Sequence, residues 1–401
     1  MSSAIMAHQQ QPAHAGHSVD ESNAGSDAVP ELRFPATLFP VSAAFASFVD
    51  QATGNRILPH DDVDWGDQIT ERMRQTPRSM SDFVAKTRAA ATQAFHTDIG
   101  RHLTVKAYTI FGHLLTGNTT FSGQLHTHDR FMLVVSAPRH GGSYLTKELY
   151  RAVGMDHRQL PATFAHDGYP DASLRWTKQD FGQNLPMPKR TIQQTAEWLT
   201  MADWFFREAP KREGLRTIPK KATKMIYAAP FFREVFGPSA EWVVAVRHPA
   251  AACLSLVEKA GGMTNDGKFP QFPRSAIEQY VLSSWADDGI SAQDVARMDY
   301  FTAYLHYWMR YHQIMAVNGL FSGNKRLRVL AYHPDQFESY LQEQHIRFGS
   351  GQQVEPMHVH SKTMQEVPHW VAQSQKALDG VAALWESYQV AFPMEAIALA
   401  L

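Results

Sequence analysis

The segment FMLVVS at 131–136 is apolar without interruption up to its last residue. A strand half exposed to water alternates apolar and polar residues, whereas one buried on both faces of a parallel sheet reads as a continuous apolar run. Here the run leads into Ala137-Pro138-Arg139-His140-Gly141-Gly142 and then SYLTKELYRAVG, which has a helical pattern. The same order returns in EWVVAVRHPAAACLSLVEKAGG: a strand at 242–246, a turn at 247–249 and a helix beyond. Pro249 suits the first turn of that helix, and Gly261-Gly262 would end it. LRVLAY at 327–332 is a third strand of the same kind. Strands separated by helical stretches predict an α/β fold with a mainly parallel sheet. No internal repeat is visible.

The flanks differ in character. Residues 1–32 are rich in Ser, Ala, Gln, His and Asp with no aromatic before Phe34, so they are expected to form a disordered tail. From 33 to 128 the pattern is mostly helical. Ser79 and Asp82 resemble a capping box, opening a helix whose inner face includes Val84, Ala91 and Phe95. The expected organisation is the tail, a helical extension at 33–128, an α/β domain at 129–365 and a helical C-terminal segment at 366–401. Lys plus Arg (38) balance Asp plus Glu (39), which argues against a nucleic-acid or anionic-membrane partner. The single cysteine, Cys253, excludes an internal disulfide framework and a four-Cys zinc site. Neither a secretory pattern nor an apolar run of about 18 residues is present, so the expectation is a cytoplasmic protein with no integral membrane segment.

Chemistry concentrates at two of the strand–turn–helix joints. After the first strand the loop supplies a cation (Arg139), two glycines that let backbone approach a ligand, and a hydroxyl (Ser143). Backbone N–H groups at a helix start then cradle an anion, although a Gly-Gly turn after a strand serves equally well as an ordinary turn. The Walker pattern fails, because no lysine stands between Gly142 and Ser143. The near-match from Gly262 to Gly267-Lys268 has Phe269 in place of the hydroxyl and no preceding strand. After the second strand, Arg247 is followed eight residues later by Ser255. A guanidinium fork plus a hydroxyl matches a phosphate monoester; the bland alternative is a surface salt bridge and a packing serine. Both joints lie at the C-terminal ends of predicted parallel strands, where open α/β sheets bind ligands.

The combination resembles the sulfotransferases that use 3′-phosphoadenosine 5′-phosphosulfate (PAPS). Pro138-Arg139-His140-Gly141-Gly142-Ser143-Tyr144 is similar to the family's 5′-phosphosulfate loop, with His140 where Ser and Gly142 where Thr is usual. Arg247-His248-Pro249 with Ser255 matches the spacing of its 3′-phosphate motif. FGPSAEWVVAVRHP, the aromatic helix 300–315 and LRVLAYHPDQF extend the likeness over about 130–350, while the C-terminal Gly-x-x-Gly-x-x-Lys of some members is not recognisable. The resemblance implies a P-loop-like three-layer fold and PAPS as sulfuryl donor without a metal. It implies cofactor contacts from Arg139, His140, Gly141, Gly142, Ser143, Tyr144, Arg247 and Ser255, with a small-molecule or glycan acceptor. Arg139 would neutralise the 5′-phosphosulfate. Lys224, about 23 residues before Arg247, stands where some members stabilise the leaving phosphate. The general base falls in PATFAHDGYPD, as His166 or Asp167.

Two other classes stay open: a nucleoside-phosphate kinase needing ATP and magnesium, and a non-catalytic nucleotide-binding protein of the same fold. His126 and His128, like His358 and His360, form H-x-H pairs that would share a face in a strand, yet a metal site needs further ligands. Tyr300, Tyr304, Tyr307, Tyr311 and Met315 recur at helical spacing and read as core packing, with an acceptor pocket lined by one or two of these rings as the alternative. The polar segment 263–299 is long enough to act as a lid over the acceptor.

Overall fold

Strand β1 (Asp129–Ser136) is buried at every position, as its apolar run requires. In the computed structural model, residues 41–54, 92–165, 169–170, 172, 189–259, 292–357 and 367–399 are described, and Val41–Leu401 falls in one unit. β1 is central to a five-stranded sheet of order β2-β3-β1-β4-β5. β3 (Leu215–Lys221), β4 (Glu241–Val246) and β5 (Leu327–Ala331) run parallel to it, and the short β2 (Lys211–Arg212) is antiparallel to β3. The α/β class with a mainly parallel sheet is therefore present, with β1, β4 and β5 within two residues of their sequence positions.

β3 has no counterpart in the sequence reading, because LRTIPKK carries a proline and three cations. Proline is tolerated here for a local reason. The Ala222 N–H donates to Val134 O, so by alternation the even-numbered residues of β3 bond β1 and Pro219 faces the opposite edge. Along that edge β2 reaches only residues 215 and 216, and the missing donor costs no ladder bond.

Helices cover both faces. Alternation along β1 sends Ser136 to one side, where helix α4 (Gly142–Ala152) packs its start against it, and Phe131 to the other. There the ring of Phe131 meets Trp198 of helix α5 (Lys189–Phe205), with centroids 6.0 Å apart. The helices α1 (Ala43–Ala52) and α2 (Asp98–Leu115) form an outer layer on α5. Phe48 of α1 meets Trp204 and Phe205, and Lys106 of α2 pairs with Asp203. Helix α3 (Thr119–His128) leads into β1. His126 and His128 thus lie on a helix rather than a strand, and residues two apart on a helix point in different directions. His126 bonds the carbonyl of Val235, on helix α6 (Ala229–Phe236), at 2.9 Å and lies on Gly237. Among the described residues no helix is long and apolar enough to cross a membrane.

The outer layer is locked by a buried carboxylate. Glu197 of α5 is fully enclosed and receives Ser42 N–H (3.0 Å), Ser42 Oγ, Tyr169 Oη (2.7 Å) and Gln193 Nε2 (2.9 Å). Burial holds its carboxyl above the usual range against those four donors, which act to lower it. Glu197→Ala would strand these donors and is expected to cost about 2–4 kcal/mol in urea unfolding. Glu197→Gln, which keeps an acceptor and meets hydroxyls able to rotate, should lose less than about 1 kcal/mol.

Candidate functional site

The chain leaves β1 toward β3 on one side and leaves β4 toward β5 on the other. Adjacent parallel strands whose connections depart in opposite directions open a crevice at their C-terminal ends, the usual ligand position in open α/β sheets. The loop 137–141 and the turn Arg247-His248 both lie there.

Two glycines shape the first loop. Gly141 has φ 83° and caps α4 with no side-chain hydrogen bond. A Cβ there would stand 2.6 Å from Phe337 and 3.0 Å from Tyr332. At Gly142 a Cβ would fall on Ser136 Oγ. The first N–H groups of a helix have no intrahelical acceptor, so this uncapped start presents donors and a partial positive charge to the crevice.

Cations gather around that start. Arg139, itself at φ 68°, is exposed, and its Nε donates to Ser255 Oγ at 3.0 Å. Ser255 sits on helix α7 (Pro249–Lys259), so the two motifs read from sequence are in direct contact. Arg247 is 5% exposed. Its guanidinium lies 4.1 Å over the Tyr332 ring, one nitrogen donates to the Arg139 carbonyl at 3.1 Å, and among the described residues Nε has no partner. Burial depresses its pKa. Among the described residues no carboxylate pairs with either arginine. At the opposite end of the sheet Arg130 pairs with Glu213, Arg216 with Asp129 and Asp203, and Arg326 and Arg347 with Glu241. A buried guanidinium left without a counter-charge costs several kcal/mol, a cost that a bound anion offsets.

Lys221, the last residue of β3, donates to Ser143 Oγ at 3.1 Å. Lys221 thus contacts the loop, a contact that sequence does not reveal because LRTIPKK does not read as a strand. Lys224 lies three residues further, half-buried on the short turn Thr223–Ala228. Lys220 points to the other face, fully buried, with Nζ donating to Phe164 O at 2.7 Å.

The remaining loop side chains turn away from the crevice. His140 is fully buried. Its Nε2 accepts from Trp308 Nε1 at 3.1 Å, so Nδ1 carries the proton and donates to Pro138 O at 3.0 Å. Burial holds it well below the ordinary histidine range. The hydroxyl of Tyr144 donates to Glu355 O at 2.6 Å, and its ring stacks on Phe337. His166 and Asp167 lie outside the described residues, as do the tail, the capping box at Ser79, residues 260–291 with the Gly262–Lys268 near-match and most of the lid segment, and His358 with His360. Among the described residues no group of three or more His, Cys, Asp or Glu is placed to hold a metal ion. No family model, curated protein or solved structure matches the chain.

Gly141→Ala combines a left-handed backbone with a clash against Phe337 and Tyr332, and is expected to lower stability in urea unfolding by about 2 kcal/mol or more. The buried histidines beside the site give a pH signature. Burial holds His248 and His312 at about 4, below the ordinary value. Their stabilising share is complete above pH ~6.5 and lost as the pH falls toward 4, roughly 3 kcal/mol each. Burial raises the carboxyls of Asp129 and Glu197, which shifts the same window the other way. The histidine share is therefore read as the shallower stability–pH slope of His312→Asn relative to wild type, by urea unfolding between pH 7 and 4.5.

Proposed function

We propose that this chain is a sulfotransferase of P-loop-like, three-layer fold that transfers a sulfuryl group from PAPS to a hydroxyl or amine of a small-molecule or glycan acceptor. The observation that carries the reading is the buried Arg247, ion-paired with no carboxylate among the described residues, beside Arg139 and the uncapped start of α4, all in the crevice between β1 and β4. The residues present fit a nucleotide bearing anions at two positions. Arg247 and Ser255 would hold a 3′-phosphate. Arg139, Lys221 and the amides from Gly141 to Tyr144 would hold the 5′-phosphosulfate.

PAPS, when bound, supplies the sulfuryl group and a bisphosphate leaving group. The chain's own contribution is positioning and charge stabilisation, which dominate catalysis of loose in-line transfers. Arg139 and Lys221 compensate charge on the leaving phosphate side, a role the resemblance gives to Lys224. His166 or Asp167 takes the proton from the acceptor hydroxyl or amine. His140 and Tyr144 contribute backbone only, because their side chains are committed elsewhere.

An ATP-dependent kinase is the second reading. The observation favouring it is Lys221, which brings from β3 to Ser143 the lysine that the loop itself lacks.

Calorimetric titration decides between them. Micromolar binding of 3′,5′-adenosine bisphosphate with no binding of ATP plus magnesium is expected, and absence of bisphosphate binding overturns the sulfotransferase reading. Arg247→Ala should abolish bisphosphate binding. His166→Ala should bind normally and lose turnover; full activity in that variant would move the base role to Asp167 or elsewhere.

A further inference from the structure

Helix α8 (Tyr300–Val317) carries the aromatic stripe whose bodies fill the core: Tyr300, Tyr304, Tyr307, Tyr311 and Met315 are all buried. Core packing accounts for the rings but not for where their polar tips end. Tyr304, Trp308 and Tyr311 occupy successive turns of one helix face. Tyr304 Oη donates to Pro138 O at 3.4 Å, in the loop after β1. Tyr311 Oη donates to Thr223 O at 2.8 Å, in the turn after β3. Between them, Trp308 Nε1 is shared between His140 Nε2 and the Arg247 carbonyl, each at 3.1 Å. One helix thus donates to the segments that follow β1, β3 and β4.

The indole is a donor only, so sharing its single hydrogen ties the two loops that carry the arginines. From Trp308 the connection runs through His140 to Pro138 O on one side and to the Arg247 backbone on the other. The Arg247 guanidinium closes the ring by donating to Arg139 O. We propose that Trp308 is a positioning residue of the anion site: its shared N–H holds the loop after β1 and the turn after β4 together, so that Arg139 and Arg247 converge on one ligand. The inference rests on the reading of the crevice as a nucleotide-phosphate site.

The test uses the full chain and two readouts. In ¹⁵N-histidine spectra at neutral pH, wild-type His140 is expected as the Nδ1–H tautomer, and Trp308→Phe should convert it wholly or partly to the Nε2–H form. Calorimetry should show Trp308→Phe, which removes the N–H donor and leaves a smaller apolar ring, binding 3′,5′-adenosine bisphosphate about tenfold more weakly. An Nε2–H tautomer in the wild type, or affinity of the variant within about twofold of wild type, overturns the proposal. The wild-type spectrum needs no variant and decides the point even if Trp308→Phe fails to fold. If the wild type binds no bisphosphate, the nucleotide reading falls by itself. The same affinity comparison is then made with pyrophosphate, and the histidine spectra still decide the role of Trp308.

Discussion

A guanidinium stacked on an aromatic ring, almost excluded from water and ion-paired with no carboxylate among the described residues, is an unstable thing to leave in a protein. Arg247 is held in this state by Tyr332 beneath it, the Arg139 carbonyl beside it and the packing of α8 behind its backbone. Much of the local structure follows from keeping that charge in place. Gly141 must lack a side chain because Tyr332, committed to the arginine, and Phe337 occupy the space. His140 turns inward because Trp308 offers it a donor and Pro138 an acceptor.

Charge is distributed unevenly between the two ends of the sheet. At the N-terminal ends of the strands the arginines are neutralised by carboxylates, an arrangement that stabilises locally and leaves nothing for a ligand. At the C-terminal ends Arg139 and Arg247 are held by hydroxyl, carbonyl and ring contacts instead. These partners orient a cation without neutralising it. Added to the uncapped start of α4, they produce a positive crevice on a chain whose net charge is only −1. Bulk composition is blind to such a site, since a net charge summed over the chain does not record where the unpaired cations lie.

How far the site was legible depended on what each residue's role rests upon. The loop 138–144 and the Arg247–Ser255 pair stood out because a glycine turn after a buried strand and an arginine-to-serine spacing are local features. Lys221 was not legible, since its relevance depends on β3, and β3 hides behind Pro219, a residue that argues against a strand until its free edge is known. His140 was expected at the ligand, and only its surroundings turn the ring away. Tyr304 and Tyr311 show as packing residues from their helical spacing, whereas nothing in the spacing singles out Trp308, and the destinations of the three polar tips lie 61 to 166 residues away in the chain.

Sequence by itself determined the buried strands β1, β4 and β5, the α/β class and the two arginine-bearing joints. Burial on both faces demands continuous apolar runs, and turns demand particular residues at particular places. Tertiary structure decided the strand order, and with it the crevice between β1 and β4, which lysine reaches the loop, and which side chains face a ligand. Those outcomes depend on segments far apart in the chain meeting in three dimensions. Whether a donor finds an acceptor, and whether a charge is left without a counter-charge, is settled only by which neighbours that packing supplies.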